Sequence, residues 1–120
     1  MIFVVVDRFT VNPGYEEMCE ERFLQRARLI EGVAGFFKWE LQRPIGHGWY
    51  TCITYWESRA YYDAWRRSPA SQSDPCEEAP LGMFASHSVL EMAEVVQSSY
   101  SPLAFLDALR SVPSERGEVA

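Results

Sequence analysis

The order in which extended and helical hydrophobic patterns alternate constrains this chain more than any other feature. Residues 2–11 (IFVVVDRFTV) are a run of β-branched and aromatic residues, which is a strand pattern. Asn12-Pro13-Gly14 ends it with a turn signal. From Tyr15 to Glu31 the apolar residues Tyr15, Met18, Cys19, Phe23, Ala27 and Ile30 recur at three and four, the spacing of an amphipathic helix, and Gly32 stands where a C-cap glycine belongs. Residues 35–43 (GFFKWELQR) alternate, with Phe37, Trp39 and Leu41 on one face. Pro44 to Gly48 turn the chain, and residues 49–56 (WYTCITYW) make a third strand. Ser58 is placed to cap a second helix that runs to Arg67 and carries Tyr61, Tyr62 and Trp65 on one side. Residues 68–85, rich in Ser, Pro, Ala and Gly, are too long for a tight connection and form a candidate functional loop. Residues 86–97 read as the last strand, 98–101 as a polar linker, 102–110 as a short helix and the final ten residues as a frayed end.

The resulting order, β-α-β-β-α-β, predicts an α+β fold. With right-handed crossovers it gives a four-stranded antiparallel sheet with two helices on one face, the ferredoxin-like arrangement. Residues 1–97 make that domain and 98–120 a C-terminal extension. The first and third strands are apolar on both sides, so the face without helices also carries aromatic and branched side chains. A second copy stacked sheet on sheet would cover it, and a homodimer is expected.

Composition narrows the function classes. The chain has 11 Lys plus Arg against 17 Asp plus Glu, a formal charge of −6, which argues against a nucleic-acid binder. No stretch approaches the roughly 20 apolar residues of a membrane span. The opening residues meet Asp7 and Arg8 without a basic leader and do not read as a signal peptide. The three cysteines, Cys19, Cys52 and Cys76, are too few and too irregularly spaced for a disulfide scaffold or a Cys-x-x-Cys site. A cytoplasmic location is expected.

Three features carry candidate chemistry. Arg22 and Arg26 lie four apart on the first helix, with no acidic residue at three or four positions from either. Such a like-charge pair costs about 0.2–0.5 kcal/mol in a helix. Two guanidinium forks beside Phe23 suit a planar ligand carrying carboxylates; a solvated helix face, or pairing with a partner's acids, is the alternative. Asp7 shares strand parity with Phe3, Val5, Phe9 and Val11. An acid on an apolar face either finds a cation, Arg43 being one candidate, or has a raised pKa and a functional role. Trp65 lies with Tyr61 and Tyr62 on an aromatic stripe, a spacing that is more often core than catalytic and is also compatible with the wall of a pocket.

The element order, Pro13-Gly14 before the first helix, Gly35-Phe36 opening the second strand, and Tyr55-Trp56-Glu57-Ser58 followed by Ala64-Trp65 resemble the antibiotic biosynthesis monooxygenase (ABM) superfamily over residues 2–97. Its members are dimeric α+β barrels. Glu21-Arg22-Phe23 with Arg26 and Glu31, then Glu40-Leu41-Gln42-Arg43-Pro44, is most similar to the heme-degrading, IsdG-like branch. That branch uses an Asn at the end of the first strand, a Trp at the end of the second helix and a His that ligates heme iron. The Trp corresponds to Trp65. Asp7 stands in place of the Asn, and the His position falls at or beside Asp74, with no His between His47 and His87.

The resemblance implies heme held between the two helices and the sheet, with O₂ and an electron donor used to open its ring. Arg22 and Arg26 would bind the propionates, with Phe23, Trp65 and Tyr61 against the porphyrin and Asp74 in the cofactor site. Asp7 would contact the distal ligand. His87 is the favoured axial ligand over Cys76, and His47, between two glycines in a turn, is read as exposed. Two other functions stay open: a cofactor-independent monooxygenase of a polycyclic aromatic metabolite, in which Tyr61, Tyr62, Trp65 and an Arg orient the substrate, and a non-catalytic dimer that binds heme or another hydrophobic ligand.

Overall fold

A computed structural model describes residues 1–99 and 102–103. The elements run β1 (Phe3–Phe9), α1 (Glu16–Ile30), β2 (Phe36–Gln42), β3 (Tyr50–Trp56), α2 (Arg59–Arg66), α3 (Pro69–Gln72), a 3₁₀ turn (Pro75–Glu78) and β4 (Val89–Glu94). The four strands form one antiparallel sheet in the order β2-β3-β1-β4, the ferredoxin-like topology. Of the helix expected over 102–110, Pro102 and Leu103 are described and helical; the rest, and the frayed end, lie outside the described residues.

Strand alternation sorts the side chains as their parity requires. On one face of β1, Phe3, Val5, Asp7 and Phe9 stand opposite Trp56, Thr54, Cys52 and Tyr50 of β3. The buried residues of α1, which are Cys19, Phe23, Ala27 and Ile30, and Tyr62 and Trp65 of α2 pack onto that face. The core is split. Phe3, Val5, Ile30, Trp56, Tyr62 and Trp65 form one cluster, and Phe9, Cys19, Phe23, Tyr50, Cys52 and Met83 the other. Asp7 lies on β1 between them. On the opposite face Val4, Val6, Ile53 and Tyr55 are only half-buried, flanked by an Arg8–Glu91 ion pair, and all six residues of β4 are exposed.

Local chemistry explains the element ends. Glu16 and Glu17 complement the dipole in the first turn of α1, and Glu16 accepts from the Gly14 amide at 2.9 Å. Gly32, at φ +81°, follows the last turn as the C-cap signal requires. Glu20 ties α1 to the sheet by accepting from Arg43 Nε and the Tyr50 hydroxyl, both at 2.8 Å. Arg43, the cation proposed for Asp7, is therefore engaged by Glu20.

Three expectations need correcting. The second strand does not keep Phe37 with Trp39 and Leu41. A register shift between Phe36 and Lys38 changes parity by one residue, so Phe36 packs on the core and Phe37 is 54% exposed. The first strand ends at Phe9 because the chain beyond it turns to another partner: Val11 bridges Phe84, and Thr10 and Asn12 bond the backbone of Ala85 and Met83. Segment 68–85 is not a plain loop. Ser68 and Asp74 each stand before a proline and cap a short turn, Ser68 accepting from Ser71 N and Asp74 from Cys76 N. The last strand correspondingly starts at Val89.

Gly35 fixes how β2 enters. It adopts φ +79°, and a Cβ there would lie 2.2 Å from Cγ of Tyr61. Gly35→Ala is expected to cost about 2 kcal/mol or more, from both left-handed backbone and overpacking. Gly32→Ala, with open space around its Cβ position, should cost about 1 kcal/mol. Urea denaturation of the two variants measures the difference.

Candidate functional site

A cavity of about 710 Å³ opens where the two core clusters separate. Its sheet wall is Val5, Asp7 and Phe9 of β1 with Cys52, Thr54 and Trp56 of β3. Phe23, Arg26 and Ile30 of α1 and Tyr62, Trp65 and Arg66 of α2 form the helical walls. Asp74, Cys76 and residues 84–88 with Leu90 complete it. Its surface is mixed: aromatic and aliphatic walls from the sheet and helices face polar groups that include Asp7, Arg26, Arg66, Asp74 and His87, and converging polar groups in an aromatic cleft are what a small-molecule site presents.

Asp7 is the most constrained of these groups. Its neighbours across the sheet are Cys52 and Leu90, and its Oδ1 is buried without a hydrogen-bond partner among the described residues. Burial raises its pKa above the ordinary 3.8; Arg26 and Arg66 pull it down, and Asp74 adds to the rise. A carboxyl in this setting holds its proton more tightly than a solvated one and presents an unpaired atom to whatever fills the cavity.

Arg26 pairs with Asp74, Nε to Oδ2 at 3.0 Å, with the two side chains 21% and 8% exposed. Its guanidinium also lies 5.8 Å from the Phe23 ring centroid. Burial opposes the Arg26 charge, yet Asp74 and the other neighbouring acids and thiols leave its pKa above the ordinary value. The other Asp74 oxygen accepts from Cys76 N at 2.9 Å. Arg22, one turn earlier, donates from Nη1 to the Pro75 carbonyl at 3.0 Å, and its buried Nε has no partner among the described residues. The two arginines thus share a helix face, but they grip the Asp74-Pro75 segment, and only Arg26 reaches the cavity wall.

The cavity therefore brings together Asp7, Phe23, Arg26, Trp65, Asp74 and His87 of the residues singled out from the sequence. Arg22 and Tyr61 lie outside its lining. Tyr61 is 38% exposed and its ring covers Gly35, while its neighbour Tyr62 is buried in the wall. Cys76 reaches the cavity, but burial, followed by Asp74, pushes its thiol well up, and burial pushes Cys52 to about 11, so both remain protonated at neutral pH. His87 is exposed at the cavity and His47 lies in the β2–β3 turn away from it. Sequence reasoning passed over Arg66. Its position four residues after Tyr62 puts both on one helical side, which is the signal that finds it.

Comparison with known proteins sets this geometry in context. The antibiotic biosynthesis monooxygenase family model matches residues 2–73. A mycobilin-producing heme oxygenase from Mycobacterium tuberculosis is 35% identical over 71 residues, spanning 58% of this chain and 68% of that protein. A staphylobilin-producing heme oxygenase from Staphylococcus haemolyticus is 33% identical over 72 residues, with the same coverage. The structure of the heme-degrader MhuD from Mycobacterium tuberculosis, with two hemes bound in its active site, superposes with a TM-score of 0.67 at 28% identity, over 82% of this chain and 99% of that one. SnoaB, a cofactor-independent oxygenase from Streptomyces nogalater, gives 0.68 at 19% identity over 81% and 95%, a likeness of fold.

The burial of Asp7 has a measurable consequence. Because its folded pKa is raised, its contribution to stability is present below about 3.8 and is lost as pH rises through the folded value. Asp7→Asn removes that loss. The variant should match the parent near pH 4 and be the more stable of the two at pH 8, as read by thermal or urea denaturation at the two pH values.

Proposed function

The chain belongs to the antibiotic biosynthesis monooxygenase family, and from that premise we propose that it is a heme-binding monooxygenase that degrades heme in the cavity described above. The observation that carries this reading is the cavity itself: about 710 Å³, walled by Phe9, Phe23, Trp56 and Trp65, with an unpaired buried carboxyl at Asp7 and cations at Arg26 and Arg66. These residues fit a flat, largely apolar molecule that carries carboxylates. Heme-degrading relatives that are 35% and 33% identical to this chain over 71 and 72 aligned residues support the same reading.

Each wall has a role in it. Trp65 and Phe23 pack on the porphyrin plane. Arg66 and Arg26 bind propionate carboxylates, and Arg22 acts at one remove by anchoring the Asp74-Pro75 segment. Asp7, whose pKa is raised by burial, presents its partnerless Oδ1 to the cavity as a hydrogen-bonding contact for the bound molecule. Asp74 is taken up by Arg26, which leaves His87 as the imidazole at the cavity among the described residues. When bound, heme supplies both the iron at which O₂ reacts and the ring that is opened, with electrons from an external donor.

The half-buried apolar face of the sheet is covered, in this reading, by a second copy, giving a homodimer. Residues 1–97 form the enzyme domain and 98–120 an extension, in a protein of the cytoplasm. No described helix is long and apolar enough to cross a membrane. One observation favours a second reading, a cofactor-independent oxygenase or a binding module for a polycyclic aromatic compound: the carboxylate at position 74, where the family places its ligand, is already satisfied by Arg26, and His87 lies thirteen residues further along the chain.

Titration of the purified protein with hemin, followed in the Soret band, and then addition of ascorbate under air, tests the proposal. A saturable shift at one heme per subunit, followed by bleaching that needs the protein, is the expected result. Absence of a saturable shift would remove heme and leave the aromatic metabolite. Arg66→Ala should weaken hemin binding about tenfold, whereas Arg67→Ala, exposed and outside the cavity, should not change it. His87→Ala should abolish the imidazole signature of the Soret and visible bands.

A further inference from the structure

We propose that the Asp74 carboxylate is an intramolecular stand-in for a ligand carboxylate on Arg26, so that a carboxylate-bearing planar ligand binds by exchanging with Asp74. This rests on the porphyrin reading above. Both partners line the cavity, and they meet at 3.0 Å through Arg26 Nε. A guanidinium this enclosed requires an anion, because an uncompensated buried charge is costly. Exchange of one carboxylate for another keeps the charge of the pair intact. An uncharged ligand has nothing to offer Arg26 and leaves Asp74 in place.

The segment that carries Asp74 is built to survive the exchange. Its backbone is held on α1 by Arg22 Nη1 on the Pro75 carbonyl at 3.0 Å, a bond that does not involve Arg26. The Asp74 oxygen that caps Cys76 N is Oδ1, whereas the pair to Arg26 uses Oδ2. Arg66, the other cation in the cavity lining, has no such internal carboxylate paired with it among the described residues, so the competition falls on the Arg26 side alone. Asp74 therefore sets a threshold that a ligand carboxylate must overcome to reach Arg26, so that weakly held or badly placed carboxylates are turned away by an internal competitor.

Metal-free protoporphyrin IX and its dimethyl ester separate the alternatives without reference to iron ligation or turnover. Each is titrated into the parent chain and into Asp74→Asn, which keeps an oxygen to cap Cys76 N but gives up the charge. Porphyrin fluorescence is the readout. The variant should bind the free acid about tenfold more tightly than the parent, with the ester changed by less than about twofold. Asp74→Ser, which also retains a capping oxygen, should shift the acid-to-ester ratio in the same direction and carries the test if the Asn variant does not fold. Weaker binding of the free acid by the variants would mean that Asp74 positions Arg26 rather than competing for it, and would overturn the inference. An unchanged ratio would do the same. Failure of both porphyrins to bind the parent and the variants would instead overturn the porphyrin reading itself.

Discussion

A single ion pair between α1 and the segment after α2 governs how the cavity is bounded. Arg26 leaves the helix face beneath the sheet and reaches Asp74, which closes the 3₁₀ turn at the same time. Arg22, a turn earlier, holds the adjacent backbone. Together with Cys76 and Ala79, which pack on the cluster that contains Cys19 and Phe23, these contacts fix the segment on α1 and define one side of the cavity. A helix with two arginines on one face, unrelieved within the helix, is the local price of that wall.

The remaining walls follow from a core that does not close. β1 places three apolar residues and one acid on its helix-facing side, and Asp7 falls where the two aromatic clusters part. Filling that gap with another aliphatic residue would join the clusters and stabilise the fold. Instead the chain keeps an unpaired carboxyl next to a large empty volume. Such a cost to stability is expected where a ligand supplies the missing contact.

Much of this was legible in the sequence, and the exceptions have physical causes. The period-two pattern of β1 and β3 and the three-and-four spacing of α1 gave the topology, because each buries a full face or stripe. The shift at Phe36-Phe37 was not legible, since adjacent aromatic residues satisfy either parity and only the register with β3 decides. Tyr61 and Tyr62 were likewise indistinguishable until the close approach of Gly35 assigned Tyr61 to the outside. Asp7 and Trp65 could be placed from strand parity and helical spacing, although their roles came from the family resemblance. The pairing of Arg26 with Asp74 joins residues 48 apart in the chain, and no local pattern encodes it. The two short turns after α2 did leave a signal, Ser-Pro and Asp-Pro, each a capping residue followed by a proline.

The central claim is that the cavity between Asp7 and Trp65 is where heme sits. Diffraction from crystals of the hemin-loaded protein, collected at the iron absorption edge, locates the metal directly. One iron peak per subunit inside the cavity, beside His87 and between Trp65 and the Asp7 strand, is the expected result. A peak on the outer face of the sheet, or none at saturating hemin, would contradict it.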